Sequence, residues 1–114
     1  MELYIYQASL VKVVDGDTID ALVEVGFHLT AKLRLRLLGV DAAELSSPDP
    51  AERAKAIEAK RWLAQQLSIQ GSFLIRTEKS DSFGRYLADV YLGDIHMNKL
   101  MVDLGIAVPW LRRK

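Results

Sequence analysis

The chain lacks the residues that build several common kinds of site. Its 114 residues include no cysteine, which excludes disulfide bonds and thiolate metal sites within it. It contains two histidines, His28 and His96, so a histidine-rich zinc site is not expected. The formal net charge is zero, whereas dedicated nucleic-acid-binding domains usually carry excess lysine and arginine. We therefore expect any binding to a phosphate polymer to be weak and strongly salt-dependent.

The sequence also has no apolar run long enough to span a membrane. Residues 1–7 read as the start of a strand and do not have the form of a signal peptide. These features predict no membrane partner and a cytoplasmic location, or secretion if a leader has been removed. A length of 114 residues with 50% apolar residues predicts one domain over 1–114 that folds as a monomer.

Short-period alternation predicts a mainly β fold. The clearest case is residues 32–37, where leucines alternate with Lys32, Arg34 and Arg36, so Arg36 is predicted on the face opposite the leucine core. A turn is predicted at 26–30. Composition and alternation together predict strands at 4–14, 17–27, 32–37, 72–77 and 85–92.

Helix signals occur in two places. Asp49 is the predicted N-cap of a helix over 50–67, with Glu52 reaching back to the cap. A shorter helix over 97–104 is predicted to stop at Gly105. Three strands, a helix, two strands and a short helix are compatible with an α+β, mainly β fold, namely a five-stranded OB-fold Greek-key barrel.

Two pairs of carboxylates lie at short spacing. Asp15 and Asp17 flank a glycine and share one face of an extended segment, while Asp41 and Glu44 lie where the leucine-rich strand should end. Carboxylate oxygens suit Ca²⁺ or Mg²⁺. The alternatives are an ordinary Asp-Gly turn for the first pair and a solvated loop for the second.

Two arginines add a second kind of chemistry. Arg36 lies on a strand and Arg85 opens another, and a guanidinium matches two phosphate oxygens at once. Surface salt bridging is the alternative for each. Ser82 and Phe83, just before Arg85, could line a nucleotide pocket, although Phe83 could instead pack locally.

Taken together, these segments resemble the staphylococcal nuclease (thermonuclease) family. The resemblance covers most of the chain and rests on three motifs in order: Asp15-Gly16-Asp17-Thr18, then Arg36-Leu37-Leu38-Gly39-Val40-Asp41-Ala42-Ala43-Glu44, then Asp81-Ser82-Phe83-Gly84-Arg85. Asn98 and Gly105-Ile106-Ala107 also resemble the family's next helix and its end.

The resemblance implies a five-stranded barrel with Ca²⁺-dependent hydrolysis of single-stranded DNA or RNA, leaving 3′-phosphate ends. It implies that Asp17, Asp41 and the Ala42 carbonyl bind Ca²⁺ and that Asp15 lies behind these ligands, outside the set that contacts the ion. By the same resemblance Arg36 and Arg85 clamp the phosphate, and Glu44 is the general base. Ser82, Phe83 and Trp110 are the substrate-binding candidates.

The sequence departs from the family pattern at several points. Ala42-Ala43 replaces a Thr-Pro pair, and without the fixed φ of proline we expect a looser loop before Glu44 and a slower reaction. Ser82-Phe83 replaces a basic-Tyr pair. Trp110 either stacks on a base or packs on the barrel. The chain ends short of the family's long C-terminal helix.

Three interpretations stay open: a working nuclease, a catalytically weak or inactive nucleic-acid-binding module, and a metal-stabilised scaffold. The preference for DNA or RNA and for internal or terminal cleavage also stays open.

Overall fold

The computed structural model describes residues 4–69, 71–80 and 86–110. Most of this part of the chain forms strands and two helices. In chain order the elements are β1 (Ile5–Asp15), β2 (Thr18–Gly26), β3 (Leu29–Leu37), β4 (Val40–Asp41), α1 (Pro50–Ser68), β5 (Phe73–Ser80), β6 (Tyr86–Leu92), β7 (Ile95–His96), α2 (Met97–Asp103) and β8 (Val108–Pro109).

Five strands close into a barrel. The sheet order is β3-β2-β1-β5-β6-β7 with antiparallel neighbours, and an additional parallel pairing joins β3 to β6. In that pairing Leu35 lies opposite Tyr86, and Arg36 lies opposite Leu87. A separate two-stranded ladder joins β4 to β8. The predicted mainly β, five-stranded OB-type barrel with one long and one short helix is confirmed.

The barrel interior is apolar and is covered at one side by α1. Leu35 and Leu37 of β3 are fully buried in the core, as the alternation predicted. From α1, Ala59, Leu63 and Leu67 pack into the same core. Residues that recur every three or four positions along a helix share one face. The long helix is therefore fixed against the barrel along its length.

The β2–β3 hairpin is tighter than predicted. The sequence indicated a turn over 26–30 and a strand from Lys32, but β3 begins at Leu29, which pairs with Gly26. The intervening Phe27 and His28 have φ values of 54° and 61°. Positive φ at both central residues suits the twist of a two-residue hairpin, but it normally requires glycine or asparagine. Neither residue signals such a tight turn, so the turn predicted over 26–30 is present but shorter than predicted.

The helix ends follow the predicted signals. Asp49 is the N-cap of α1, and its Oδ1 accepts a hydrogen bond from the Ala51 amide at 3.0 Å. Beyond α2, Gly105 has φ of 76°, a conformation that favours glycine. The two-residue strands β4, β7 and β8 were not predicted, because two residues carry no periodicity. Neither helix in the described residues is long and apolar enough to cross a membrane.

Candidate active site

Asp17 is held at the mouth of the barrel by three hydrogen bonds. It lies in the tight turn between β1 and β2, where its carbonyl accepts from the Leu37 amide at 2.8 Å. Its carboxylate accepts from the Thr18 hydroxyl at 3.0 Å and from the Ala42 amide at 3.1 Å. Asp17 thus links the turn to β3 and to the segment after β4, and its carboxylate has a fixed orientation.

The neighbouring Gly16 allows this turn to approach α1. A Cβ atom at Gly16 would lie 2.8 Å from the Cβ of Ala42 and 2.8 Å from that of Ala59. Contacts this short are not tolerated in a packed interior. Gly16 is therefore required for close packing, a role that the Asp-Gly turn motif did not reveal. Ala42 and Ala59 leave just enough space for the turn.

Arg36 is oriented mainly by backbone carbonyls. Its Nη1 donates to the Leu37 carbonyl at 3.0 Å and to the Val40 carbonyl at 2.8 Å. The residue is only 9% exposed. Alternation correctly placed Arg36 off the leucine face, and on that face the side chain is buried. The chain turns back after β3 and covers it.

The guanidinium of Arg36 lies between two carboxylates. Its Nη1 is 3.6 Å from Asp17 Oδ2, and its Nη2 is 3.6 Å from Asp41 Oδ1. Both distances exceed those of a good hydrogen bond. The Trp110 ring lies over the guanidinium, with 5.4 Å from Cζ to the ring centroid, and the Trp110 amide donates to the Gly39 carbonyl at 2.9 Å. The charge of Arg36 is thus shielded without a close ion pair.

Asp15 lies at the other side of the same turn and is half-buried. Burial and the neighbouring charge of Asp17 raise the pKa of Asp15 above its ordinary value, against the opposing influence of Lys60, Arg34 and Arg36. Burial is the larger of the two causes, and repulsion between Asp15 and Asp17 adds to it.

Asn98 joins the two strands that carry the arginine motifs. Its Nδ2 donates to the Leu38 carbonyl at 2.8 Å and to the Ala88 carbonyl at 3.1 Å, while its Oδ1 accepts from the Val90 amide at 2.9 Å. The buried amide therefore fastens α2 to the end of β3 and to β6. This explains physically why an asparagine at the start of the short helix accompanies the other motifs.

Other predicted site residues are less constrained or lie outside the described part. Glu44 follows β4 in a loop, and its side chain is exposed. Ser82, Phe83 and Arg85 lie outside the described residues. The structure thus brings together Asp17, Arg36, Asp41, Ala42 and Trp110, with Asp15 beside them.

The residues present fit part of a Ca²⁺ site. The Asp17 carboxylate keeps lone pairs beyond its hydrogen bonds, and the Asp41 side chain is 53% exposed. Within residues 4–69, 71–80 and 86–110, no group of three or more acidic or histidine side chains is placed to hold a metal. Ca²⁺ takes six to eight oxygen ligands. Two carboxylates and the Ala42 carbonyl would therefore need water and substrate oxygens to complete the shell.

A cleft of about 550 Å³ adjoins the site between the segment after β4, α1 and the chain after α2. Asp41, Glu52 and Glu58 line it together with one lysine, Lys55. Three carboxylates against one ammonium make it unfavourable for a phosphate. A phosphodiester is therefore expected on the Arg36 side of Asp41.

The closed five-stranded barrel, capped by α1 and carrying these polar residues at its mouth, defines an OB-type α+β domain. The staphylococcal nuclease homologue family profile matches residues 34–113. The chain belongs to that family. The match begins at residue 34 and does not include Asp17. That Asp17 lies beside Arg36 is known from the structure alone.

The chain is also similar to a Bacillus anthracis protein described as uncharacterized. The two are 32% identical over 104 residues, which is 90% of this chain. The chain spans about half of the length of that relative, 46%. The similarity supports the domain assignment and carries no further functional information.

Proposed function

We propose that this domain is a Ca²⁺-dependent nuclease that hydrolyses phosphodiester bonds of single-stranded DNA or RNA and leaves 3′-phosphate ends. The observation that carries the proposal is the state of Arg36. A buried guanidinium is fixed by two carbonyls, and its nearest carboxylates stay at 3.6 Å. Family membership makes a nucleic acid the expected anion.

Arg36 would bind the scissile phosphate through its remaining N–H groups. Nη1 already donates to the Leu37 and Val40 carbonyls, so Nη2 and Nε are the donors left for phosphate oxygens. Because these carbonyls fix the fork in advance, little reorganisation is needed as negative charge builds on the phosphate. Arg85, directly before β6, is proposed as the second cation.

Glu44 would accept the proton of the attacking water. Its exposed carboxylate lies three residues beyond Asp41, where substrate and water can reach it. Asp17, Asp41 and the Ala42 carbonyl would hold the Ca²⁺, which supplies charge neutralisation at the phosphate when bound. Asp15 would raise the negative charge behind these ligands.

Trp110 has a second proposed role beside the substrate. Its ring covers Arg36 and is itself partly exposed. The free part of the ring could stack on a nucleobase, a contact that tolerates any base. Ser82 and Phe83 remain proposed substrate contacts.

The test is cleavage of single-stranded DNA and RNA by the wild-type protein and by Glu44→Gln, with Ca²⁺ or with EGTA. We expect Ca²⁺-dependent cleavage that falls by at least ~10²-fold in Glu44→Gln, because general bases contribute on that order. Glu24→Gln is the matched control, since Glu24 is an exposed carboxylate on β2 away from the site. End-labelled products would identify 3′-phosphate ends.

Three outcomes separate the interpretations. Cleavage that persists in EGTA would contradict the Ca²⁺ role. Equal activity of Glu44→Gln and Glu24→Gln would remove Glu44 as base. Binding of the same strands without any cleavage would instead make the domain a nucleic-acid-binding module.

A further inference from the structure

The loop that carries Glu44 lacks an obvious source of rigidity. It runs from the end of β4 to Asp49 at the start of α1, and Ala43 provides no fixed φ. Yet a general base must lie within about half an ångström of its working position. The structure shows one backbone hydrogen bond from this loop at Glu44: its carbonyl accepts from the Ser47 amide at 3.2 Å.

Ser47 is itself tied to the start of α1 through its hydroxyl and its carbonyl. The residue is 9% exposed. Its hydroxyl donates to Glu52 Oε2 at 2.9 Å and accepts from the Asp49 amide at 3.2 Å. Its carbonyl accepts from Arg53 Nη1 at 2.9 Å. Two of these bonds involve charged partners, which makes them stronger than neutral ones.

This arrangement differs from the usual capping box. There, the acidic residue at the third helical position accepts directly from the N-cap amide. Here Glu52 accepts from the Ser47 hydroxyl, and that hydroxyl accepts from the Asp49 amide. The predicted direct contact between Glu52 and the Asp49 amide is therefore replaced by a relay of two hydrogen bonds through the Ser47 hydroxyl. Ser47 lies two positions before the N-cap.

The relay begins on a rigid element. Ala59, Leu63 and Leu67 bury α1 against the barrel, and Glu52 and Arg53 belong to its first turn. From Glu52 and Arg53, hydrogen bonds lead through Ser47 to the Glu44 carbonyl. A change at Ser47 would release the backbone at Glu44 while leaving the buried face of α1 intact.

We propose that Ser47 is a positioning residue for Glu44. The proposal rests on the proposed nuclease function. Ser47, held by Glu52 and Arg53, fixes the backbone at Glu44 and supplies rigidity that Ala43 does not. Ser47 does not touch the substrate in this role; it acts through the orientation of Glu44.

The test compares Ser47→Ala with Ser68→Ala in steady-state cleavage assays. We expect Ser47→Ala to lower kcat about tenfold with little change in KM, because small misplacements of a reacting group are costly. Ser68→Ala also removes a serine hydroxyl, but this one lies in α1 and its hydrogen bond goes to the Ala64 carbonyl at the other end of the helix. It should leave kcat near wild type. Ser47→Thr keeps the hydroxyl and should recover most of the activity.

A double-variant cycle distinguishes positioning from general destabilisation. Once Glu44→Gln has removed the base, adding Ser47→Ala should change the residual rate by less than about twofold, since coupled residues are non-additive. Equal losses from Ser47→Ala in both backgrounds would overturn the proposal. So would a Ser47→Ala protein with wild-type kcat.

Hydrogen exchange provides a readout that does not require activity. The Ser47 amide donates to Glu44, so its exchange should be slow in the wild type and faster in Ser47→Ala, with Ser68→Ala close to wild type. Unchanged exchange in Ser47→Ala would overturn the relay itself. A wild-type protein that cleaves neither DNA nor RNA would remove the proposed function and with it the positioning role, which is a different result from an active Ser47→Ala.

Discussion

Two aspartate–arginine pairs have their arginines two residues apart on β3, and they are built differently. Arg34 forms a two-point ion pair with Asp20, with Nε and Nη2 donating at 2.8 and 3.1 Å. Arg36 faces Asp17 at 3.6 Å and gives its short hydrogen bonds to carbonyls. Asp20 is buried beside a half-exposed Arg34, whereas Arg36 is itself almost fully buried.

The difference separates a two-point ion pair from a guanidinium that gives its short hydrogen bonds to carbonyls. Both oxygens of Asp20 accept from Arg34, so few donors of Arg34 are left for a phosphate. Arg36 has two carboxylates at 3.6 Å, but the Nη2 that faces Asp41 makes no short hydrogen bond to it. For this reason we propose Arg36, and not Arg34, as the phosphate ligand. Nothing in the alternating sequence Lys-Leu-Arg-Leu-Arg-Leu distinguishes Arg34 from Arg36.

The largest expected effect is on the rate of cleavage. Arg36→Lys should lower kcat by at least ~10²-fold, because an ammonium cannot reproduce the preorganised guanidinium fork. Arg34→Lys should leave kcat near wild type. The measurement is single-turnover cleavage of a labelled oligonucleotide in Ca²⁺.

Circular dichroism and melting curves of both lysine variants serve as the control for folding. Equal losses of rate in Arg36→Lys and Arg34→Lys would show that the two arginines do not differ in their contribution to cleavage. A normal rate for Arg36→Lys would place phosphate binding elsewhere.

A smaller effect on the rate is expected from substitutions of Trp110. The Trp110 ring covers the guanidinium of Arg36. Trp110→Leu should lower kcat/KM about threefold, since a cation–π contact at a partly exposed site stabilises by only about 0.5–1 kcal/mol. Trp110→Phe should retain more activity than Trp110→Leu. Comparable activity of the leucine variant and the wild type would mean that the carbonyls alone orient Arg36.

The smallest effect concerns stability at the other pair. The hydrogen bond from Arg34 lowers the pKa of Asp20 below its ordinary value. A lowered pKa in the folded state contributes stability above the unfolded pKa, and this is lost as the pH falls through the folded value. Asp20→Asn should therefore lower the melting temperature by a few degrees at pH 7, and the difference should begin to shrink below about pH 4 and disappear only as the pH passes the lowered pKa of the folded state.

A melting series from pH 3 to pH 8 checks this expectation. Because Arg34 is half-exposed, added salt should reduce the difference at pH 7. A difference between Asp20→Asn and wild type that is constant over this pH range would contradict an ionic origin.

Much of the fold could be predicted because its signals are local. Alternation at 32–37 identified β3, and Asp49 with Pro50 marked the start of α1. A turn over 26–30 could be predicted, but its tight two-residue form at Phe27–His28 could not, since the twist of the paired strands outweighs the local preference of two non-glycine residues. Local sequence signals thus determine where helices and strands form, while the pairing of strands determines the conformation of the turns between them.

The candidate site was predictable as residue types and not as geometry. The motif order identified Asp17, Arg36 and Asp41, which the structure brings together. It could not show that Arg36 is buried, because the cover comes from Trp110, far along the chain. Nor did it indicate Ser47, whose importance depends on bonds to α1.

The parallel pairing of β3 with β6 has a consequence for refolding. It joins Leu35 to Tyr86, so it must close a long loop of chain, whereas the β1–β2–β3 meander forms from near neighbours. Contacts between distant segments are slow to form. The Asp17 turn belongs to the meander, but Arg85 directly precedes β6. A chain in which β1, β2 and β3 have paired but β3 and β6 have not would show much of its strand signal. Under the proposed nuclease function it would cleave no substrate, so recovered cleavage would be a late marker of the native state, appearing only when the barrel has closed.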